Sequence, residues 1–414
     1  MHRRVRATYG TNTRRRCLAV VFAALAVLAH AETTTEEEGA GRAVAASSSG
    51  ATISVFDTLG VVGNLGWWGL DMAMETAGYG LCPLANDPVT AVAENLQKRI
   101  RAQPLAIESL TMAVSAWHFS QRSGRHEPLV VALTGSTGTG KTETAWALAE
   151  SLLTKRCRIA GGTKDIPRGL LVLNGGDYVT ASKIDEYHQK IRRKLGQRLK
   201  YCSGNVVVLF DELQKATPGT LDSLMEAMSE HPRVTYEEGK KSVSVDTSRV
   251  IFVLVSDVGA ERLDAVVRSF KSRSEVVVGV LQSAVKIALD EQWDRLRFGK
   301  VVDKVIPYLP MDPASIVLVI ELKLEMLAET LPGGLYTTRD LRWHLVQPQY
   351  VRYSTYHVRP KTGGGEVYKH DLAVYGARDV DKESMRRING ILREHVLEAP
   401  CSAKEAAAQA QMGV

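Results

Sequence analysis

The sequence predicts an α/β fold with a mainly parallel central sheet flanked by helices, followed by a small C-terminal helical lid domain. Apolar runs of strand length occur at residues 129–134, 206–210 and 250–255, as expected of strands that are buried on both faces. Each run ends in glycine, hydroxyl or acidic residues, at the edge where open α/β sheets bind their ligands. A helical pattern follows the first run at residues 143–153.

Length and composition exclude several classes of protein. A chain of 414 residues is too long for one ordinary core and indicates two or three domains. With 45% hydrophobic and 24% charged residues it is globular, which excludes collagen, coiled-coil rods and disulfide mini-proteins. The formal net charge is +6, but residues 1–31 hold six arginines and no other charged residue, so residues 32–414 carry no net charge. We therefore predict no nucleic-acid partner.

The first 31 residues are predicted to be a signal peptide. An arginine-rich stretch precedes an apolar run at residues 17–28, and Ala29 and Ala31 form a small-residue cleavage site. An uncleaved anchor or an organellar transit peptide are the alternatives. Residues 32–51 are acidic and then rich in alanine, serine and glycine, a composition typical of a disordered linker.

Residues 52–84 form a hydrophobic segment that is open to two interpretations. Trp67 and Trp68 have amphipathic rings suited to a membrane interface, which predicts peripheral membrane contact. Asp57 and Asp71 lie within the segment and argue against full spanning, so an amphipathic packing element of the fold is the alternative.

Cysteine spacing gives no metal site and leaves disulfide pairing open. The four cysteines after residue 31 include no Cys-x-x-Cys pair, which argues against zinc. They could form bridges in an oxidising compartment, with three pairings to choose from, or remain buried thiols. The four are Cys82, Cys157, Cys202 and Cys401.

The residues after the first apolar run match a phosphate-binding pattern. A glycine-rich loop stands between the run at 129–134 and the helical pattern at 143–153, which is the context of a P-loop. Glycines let backbone amides converge on phosphates at a helix N-terminus. We expect Lys141 to reach the β- and γ-phosphates and Thr142 to hold Mg²⁺. The predicted ATP-binding residues are Gly135, Ser136, Thr137, Gly138, Thr139, Gly140, Lys141, Thr142 and Asp211.

Acidic residues after the next two runs complete the predicted catalytic site. Asp211 and Glu212 follow the second run; we expect Asp211 to bind Mg²⁺ through its water shell and Glu212 to polarise the attacking water. Asp257 follows the third run and is expected to orient that water or to sense the γ-phosphate. An ordinary strand-end turn is the alternative for Asp257.

Four different short motifs follow one another along the chain, at residues 100–103, 210–218, 256–263 and 307–310. They are similar to those of the Clp-type branch of the AAA+ ATPases, and most of all to those of the torsins. The first lies in a stretch, 89–114, that resembles the adenine-contacting lead-in to the P-loop. The resemblance covers about residues 85–395 and implies a P-loop domain that binds ATP and Mg²⁺.

The resemblance also implies that one catalytic group is missing. In the Clp-type pattern an arginine finger precedes an Ile/Val-Asp pair and completes the site of a neighbouring subunit; here Val301 stands at that position. Such an arginine neutralises charge as the γ-phosphoryl group leaves. Torsins obtain it from a membrane-anchored activator, so we expect an activator protein or a homo- or hetero-oligomer as partner. Lys300 and Arg297 are candidates to substitute, although lysine lacks the planar fork.

The residues that distinguish a threading unfoldase are only partly present. Between residues 174 and 200 no aromatic-Val-Gly loop appears, so Tyr178 is predicted to pack or to contact an adaptor rather than to grip a polypeptide. Arg378 ends a Gly-Ala-Arg motif that resembles the Clp sensor-2, where torsins have Gly-Cys-Lys. It is expected to reach the γ-phosphate from the lid and to act as the third catalytic residue beside Glu212 and Asp257; a surface salt bridge is the alternative.

Two further positions depart from the torsin pattern. Thr142 replaces an asparagine after the P-loop lysine, which makes the loop more ordinary. Asp257 replaces the sensor asparagine and so exchanges an amide donor for an acceptor.

These observations predict an ATP-hydrolysing, torsin-like AAA+ protein that remodels protein partners at a lumenal membrane of the endoplasmic reticulum or nuclear envelope. The alternatives are a Clp-type organellar unfoldase or disaggregase, and a nucleotide-gated binding scaffold with little hydrolysis. The expected divisions after the signal peptide, linker and hydrophobic segment are a large nucleotide-binding domain at 85–305, a helical lid at 306–396 and a flexible tail at 397–414.

Overall fold

The computed structural model describes residues 82–158, 165–293, 301–331, 335, 337–359 and 367–392. The predicted signal peptide, the linker, most of the hydrophobic segment and the C-terminal tail lie outside the described residues, as do Arg297 and Lys300. Within the described part of the chain, no helix combines the length and the apolar character needed to cross a membrane.

Helices and strands alternate along most of the described chain. The helices are α1 Pro88–Arg99, α2 Pro104–Arg122, α3 Lys141–Leu152, α4 Ile184–Cys202, α5 Asp222–Met225, α6 Ala260–Arg268, α7 Val278–Gln292, α8 Pro313–Ala328, α9 Arg339–His344 and α10 Met385–Leu392. The strands are β1 Leu129–Gly135, β2 Arg156–Arg158, β3 Asp165–Pro167, β4 Leu170–Asn174, β5 Val207–Asp211, β6 Arg233–Glu238, β7 Lys241–Asp246, β8 Ile251–Ser256, β9 Lys304–Tyr308, β10 Tyr353–Val358 and β11 Tyr368–Ala373.

Five strands form the central sheet in the order β4-β5-β8-β1-β9, and every neighbouring pair is parallel. The three apolar runs are β1, β5 and β8, which lie side by side in its middle. The prediction of a mainly parallel α/β sheet is therefore confirmed. Every residue of β1 and β8 is buried, as expected of strands covered on both faces.

Alternate residues of β1 enter two separate cores, one on each face of the sheet. Val130 and Ala132 pack in the core that contains α4, α6 and α7. Val131 and Leu133 pack in the core formed with α1, α2 and α3. This two-residue alternation fixes the register of the strand, because a slip by one residue would exchange the two faces. Helices on both faces of the sheet therefore cover β1.

A third core belongs to the C-terminal part of the chain. It contains Met311, Ile316, Ile320, Leu345 and Val380, whereas Leu309 still packs in the core of the sheet. β9 crosses residue 305, so the sheet continues a few residues beyond the predicted boundary. The lid holds helices α8, α9 and α10, as expected of a small helical lid, and it also contains an antiparallel hairpin of β10 and β11.

A disulfide joins Cys82 to Cys202, with their Cα atoms 4.9 Å apart. Cys82 lies near the C-terminal end of the hydrophobic segment, and Cys202 is the last residue of α4. Leu84 adds a single β-bridge to Leu153 at the end of α3. Cys157 is a free thiol and is half-buried. The chain entering the domain is thus fixed to its core by one covalent bond and a short backbone contact.

Candidate functional site

The predicted site residues meet in one cavity at the carboxyl edge of the sheet. β1 ends at Gly135, β5 at Asp211 and β8 at Ser256, and the three strands are neighbours. The cavity has a volume of about 780 Å³ and is bordered by the loop at 137–143, by the acidic residues after β5 and β8, and by the lid. This is the edge at which open parallel sheets bind ligands.

The loop between β1 and α3 depends on glycine at two positions. Gly140 precedes α3 with a φ of 102°, a left-handed conformation that disfavours side chains. Gly138 has a φ of 74°, and a Cβ built on it would overlap the carbonyl oxygen of Tyr375 in the lid. The loop therefore opens the N-terminus of a 12-residue helix towards the cavity and allows the lid to approach.

Lys141 is the first residue of α3, and its side chain is only 6% exposed. Its Nζ donates to the carbonyl oxygens of Gly135 and Ser136, both at 2.7 Å, and lies 2.8 Å from Oδ1 of Asp257. Burial lowers the pKa of Lys141, whereas the charge of Asp257 opposes this shift. The ammonium group thus lies inside the loop with all three of its N–H donors directed at protein oxygens.

Thr142 and Asp211 are linked directly. The hydroxyl of Thr142 donates to Oδ1 of Asp211 at 3.1 Å, and the same oxygen accepts from the backbone N–H of Glu212 at 3.0 Å. Burial raises the pKa of Asp211, and these two hydrogen bonds counteract the shift. A hydroxyl and a carboxylate in contact are the ligand types that Mg²⁺ uses in P-loop proteins, so these residues fit the predicted metal ion.

Glu212 borders the cavity immediately after β5. Its backbone is left-handed, with a φ of 51°, a conformation rare for residues other than glycine. Its Oε2 accepts from Nζ of Lys215 at 2.7 Å. A Cβ added to Gly175 would overlap the carbonyl oxygen of Glu212, so a glycine at the end of β4 permits this turn. The strained backbone aims the carboxylate at the cavity edge.

Asp257 lies one residue beyond β8 and is 43% exposed. Besides the ion pair with Lys141, its Oδ2 accepts from Nε2 of Gln214, and its N–H donates to Oε1 of Gln214, both at 3.4 Å. Gln214 is two residues from Glu212. Asp257 therefore lies between the P-loop lysine and the turn that carries the predicted general base.

The lid contacts the P-loop through its backbone. The N–H of Ala377 donates to the carbonyl oxygen of Gly138 at 2.9 Å. Arg378 follows Ala377 and borders the cavity, and its positive charge contributes to lowering the pKa of Lys141. Its guanidinium therefore faces the same space as the P-loop lysine rather than a distant surface.

The predicted lead-in connects the loop, the sheet and the lid. Gln103 is buried; its Nε2 donates to the carbonyl oxygens of Leu309 at 2.9 Å and Thr139 at 3.3 Å, and its Oε1 accepts from the N–H of Leu309 at 3.1 Å. Arg273 donates to Oε1 of Gln103 and to the hydroxyl of Ser315 in α8. The base of the lid is thus held by the residues that precede the P-loop.

One wall of the cavity was not predicted from the sequence. α8 contributes Val319, Leu322 and Met326, which face residues 98–101 across the cavity. Their spacing of three and four residues places them on one face of the helix, which was the available signal. The same helix also lines the cavity with Lys323, Glu325 and Glu329, so this wall combines an apolar patch with charged side chains. The apolar patch is suited to contact a flat ring, and the P-loop and the acids are suited to phosphates.

Two residues predicted to be outside the catalytic set lie away from the cavity. Tyr178 is fully buried, and its ring packs edge-to-face on Tyr187 and Phe210. This packing agrees with the interpretation that Tyr178 does not grip a polypeptide. Val301 is half-buried against the core, so it offers no cation at the predicted finger position.

Comparison with known proteins gives the same family relationship as the motifs. The sequence model of the Torsin family matches residues 81–210. A Torsin-like protein of Drosophila melanogaster is 23% identical over 239 residues, which cover 56% of this chain and 65% of the fly protein. The chaperone protein ClpB of Chlamydia pneumoniae is 24% identical over 245 residues, covering 58% of this chain and 26% of ClpB.

The fold also matches a solved structure of Hsp104. The Hsp104–ADP complex of S. cerevisiae superposes with a TM-score of 0.51 at 17% identity, covering 80% of this chain and 49% of the Hsp104 chain. The chain spans about a quarter of the length of ClpB and about two thirds of the fly protein. The family match and these relatives agree with the resemblance in the motifs: the chain is similar to the torsins and to the Clp-type chaperone ClpB, and it shares its fold with Hsp104.

Proposed function

We propose that the protein binds and hydrolyses ATP, and that it uses the nucleotide cycle to remodel protein partners at a lumenal membrane. The observation that carries this proposal is the convergence of Lys141, Asp211, Glu212, Asp257 and Arg378 on one cavity, from three strand ends and the lid. A structural glycine loop alone would not require these acids and a lid arginine at the same place. The relatives named above support the same class of activity.

In this proposal the loop amides and Lys141 hold the phosphates, and the apolar face of α8 packs against the base. Thr142 and Asp211 hold Mg²⁺, which supplies charge neutralisation on the phosphate oxygens when it is bound. Glu212 accepts a proton from the attacking water, and its contact with Lys215 orients the carboxylate. Arg378 contacts the terminal phosphate from the lid and so makes the lid angle depend on the nucleotide.

We propose further that the site is incomplete without a partner. Val301 places an apolar side chain where the Clp-type pattern has its finger, so the cation must come from another chain. Because a neighbouring copy carries the same Val301, an activator protein of different sequence would supply an arginine, the group best suited to a phosphoryl oxygen because its planar fork donates two hydrogen bonds. Turnover by the isolated chain is then slow.

The compartment is proposed from two independent features. The arginine-rich, apolar N-terminus fits a signal peptide, and the Cys82–Cys202 disulfide fits an oxidising compartment such as the endoplasmic reticulum lumen or the nuclear envelope. Residues 52–84 would then contact the membrane surface. Mitochondrial relatives, among them the human mitochondrial disaggregase at 27% identity over 180 residues, support the organellar alternative.

We propose a domain division that follows the cores: a nucleotide-binding domain from about residue 85 to about residue 310, and a lid from there to about residue 396. The preceding segments and the tail after 396 keep the assignments made from the sequence. Leu309 and Met311 lie in different cores, which supports the boundary between them.

A Clp-type unfoldase is the second candidate, favoured by Thr142 and Arg378. Because Tyr178 is buried, Tyr178→Ala would disturb the core and test nothing about threading. Val179 is exposed on the same loop, so Val179→Asp is the better variant. We expect it to leave both ATP turnover and partner remodelling intact. Loss of substrate unfolding with normal hydrolysis would favour the unfoldase instead.

Calorimetry on the purified full chain with Mg²⁺ tests the proposed nucleotide site. We expect ATP binding with slow unassisted turnover, loss of binding in Lys141→Ala, and retained binding without turnover in Glu212→Gln. Lys240→Ala and Glu237→Gln are matched controls, because both residues lie on the exposed β6–β7 hairpin outside the cavity. Absence of nucleotide uptake, or equal binding by Lys141→Ala and Lys240→Ala, would contradict the proposal. If the protein is instead a nucleotide-gated binding scaffold, ATP hydrolysis will be negligible even when a partner is present. If the isolated chain hydrolyses ATP rapidly, its turnover does not depend on an activator.

A further inference from the structure

The P-loop lysine is already fully occupied by the protein itself. An ammonium group has three donors, and those of Lys141 are directed at Gly135, Ser136 and Asp257. Two of these partners are neutral carbonyl oxygens in the buried loop. The third is a carboxylate, and at 43% exposure it is the partner that an incoming ligand can reach. A phosphate that binds Lys141 must therefore compete with Asp257.

Asp257 lies on the side of the cavity where a terminal phosphate would be. Its two contacts with Gln214 join it to the turn after β5, which carries Glu212. A base that activates water for attack must face the terminal phosphate, so a residue next to that turn is nearer to this phosphate than to the inner ones. Displacing Asp257 from Lys141 therefore leaves two negative groups close together.

We propose that Asp257 sets the nucleotide preference of this site: it neutralises Lys141 in the nucleotide-free protein and repels a terminal phosphate, so that a nucleoside diphosphate is favoured over a triphosphate. The inference rests on the proposed nucleotide function but adds a selectivity that the function does not require. An asparagine at this position would donate to the phosphate, whereas the carboxylate only accepts. Aspartate at position 257 therefore repels the terminal phosphate, whereas asparagine at the same position would attract it.

The charge should act on ATP more than on ADP. Each nucleotide must take Lys141 from Asp257, so this part of the penalty is common to both. Only the triphosphate places its last, most negative group beside the released carboxylate. For one like-charge contact in a partly exposed site, we expect the ratio of the ADP and ATP affinities to change by about tenfold.

Calorimetric titration with MgADP and MgATP tests this preference. Both titrations use full chains that carry Glu212→Gln, so that ATP is not consumed, with and without Asp257→Asn. We expect Asp257→Asn to tighten ATP binding about tenfold relative to ADP binding. Glu237→Gln removes one carboxylate from the β6–β7 hairpin and should leave the ratio unchanged. Asp257→Ser is a second neutral variant in case the asparagine protein does not fold.

The outcomes separate this inference from the function on which it rests. If both nucleotides bind and their affinity ratio is the same with aspartate and with neutral residues, the inference is wrong while the nucleotide site stands. A weaker ATP affinity in Asp257→Asn also overturns it, because it would make the carboxylate a favourable contact. If neither nucleotide binds any of the proteins, the proposed function fails and the inference fails with it.

Discussion

Removing the Cys82–Cys202 disulfide is expected to lower stability by an amount set by the loop it closes. The two cysteines are 120 residues apart, for which the loop-closure relation gives about 5 kcal/mol at 25 °C. A fold of roughly 300 residues gains about 0.6 kcal/mol per degree in entropy on unfolding, so the melting midpoint should fall by up to about 8 °C. Both cysteines are 1% exposed, and alanine therefore replaces them without burying a hydroxyl group.

Thermal unfolding of the Cys82→Ala/Cys202→Ala protein measures this shift. Melting midpoints are compared rather than free energies, because a chain with three cores need not unfold in one step. Reductant should lower the midpoint of the parent protein to that of the double variant and should leave the double variant unchanged. Cys157→Ala removes the free thiol and serves as control. If reductant and the double variant both leave the midpoint within about 1 °C of the parent, the loop-closure reasoning is refuted.

Two further predictions concern the lid contact and pH. Gly138→Ala should lower the melting midpoint and nucleotide affinity more than Gly140→Ala, because both have positive φ but only a Cβ at 138 meets Tyr375; equal losses in the two variants would show that the lid contact is unimportant. Burial raises the pKa of Asp264 to about 6. Between about pH 4 and 6 the folded state therefore keeps a proton on this carboxyl group that the unfolded chain has lost. The free energy of unfolding should fall as pH rises through that interval. Asp264→Asn should flatten this part of the stability profile, measured by melting at several pH values, whereas Asp340→Asn at an exposed position should not.

The middle of the sheet and the phosphate loop could be predicted because local sequence determines them. The runs that became β1, β5 and β8 are apolar on both faces, which only a buried parallel strand requires. The loop glycines and Lys141 follow β1 at a fixed spacing, so their placement needed no long-range information. The fifth strand was different. β9 contains Pro307, which normally argues against a strand, and it is tolerated because β9 lies at the edge of the sheet.

Contacts between distant segments were beyond the reach of the sequence. The pairing of Cys82 with Cys202 depends on the fold bringing the N-terminal segment to the end of α4, and cysteine spacing does not encode it. The bonds that Gln103 makes to Thr139 and Leu309 are of the same kind. The lid hairpin had a weak local signal, since residues 353–358 are rich in the aromatic and β-branched side chains that strands favour.

Under the two proposals, Val301 and Asp257 both weaken the binding of a terminal phosphate. Val301 withholds the cation that the Clp-type pattern supplies to the site of a neighbouring chain, and Asp257, where torsins have the sensor asparagine, adds an anion beside the place of the terminal phosphate. Either change alone would raise the free energy of the triphosphate complex. An arginine brought by a partner would face both negative groups and would stabilise them together, so its effect should be larger here than beside an uncharged sensor residue. Under the two proposals, partner contact therefore controls the binding of the triphosphate as well as its hydrolysis.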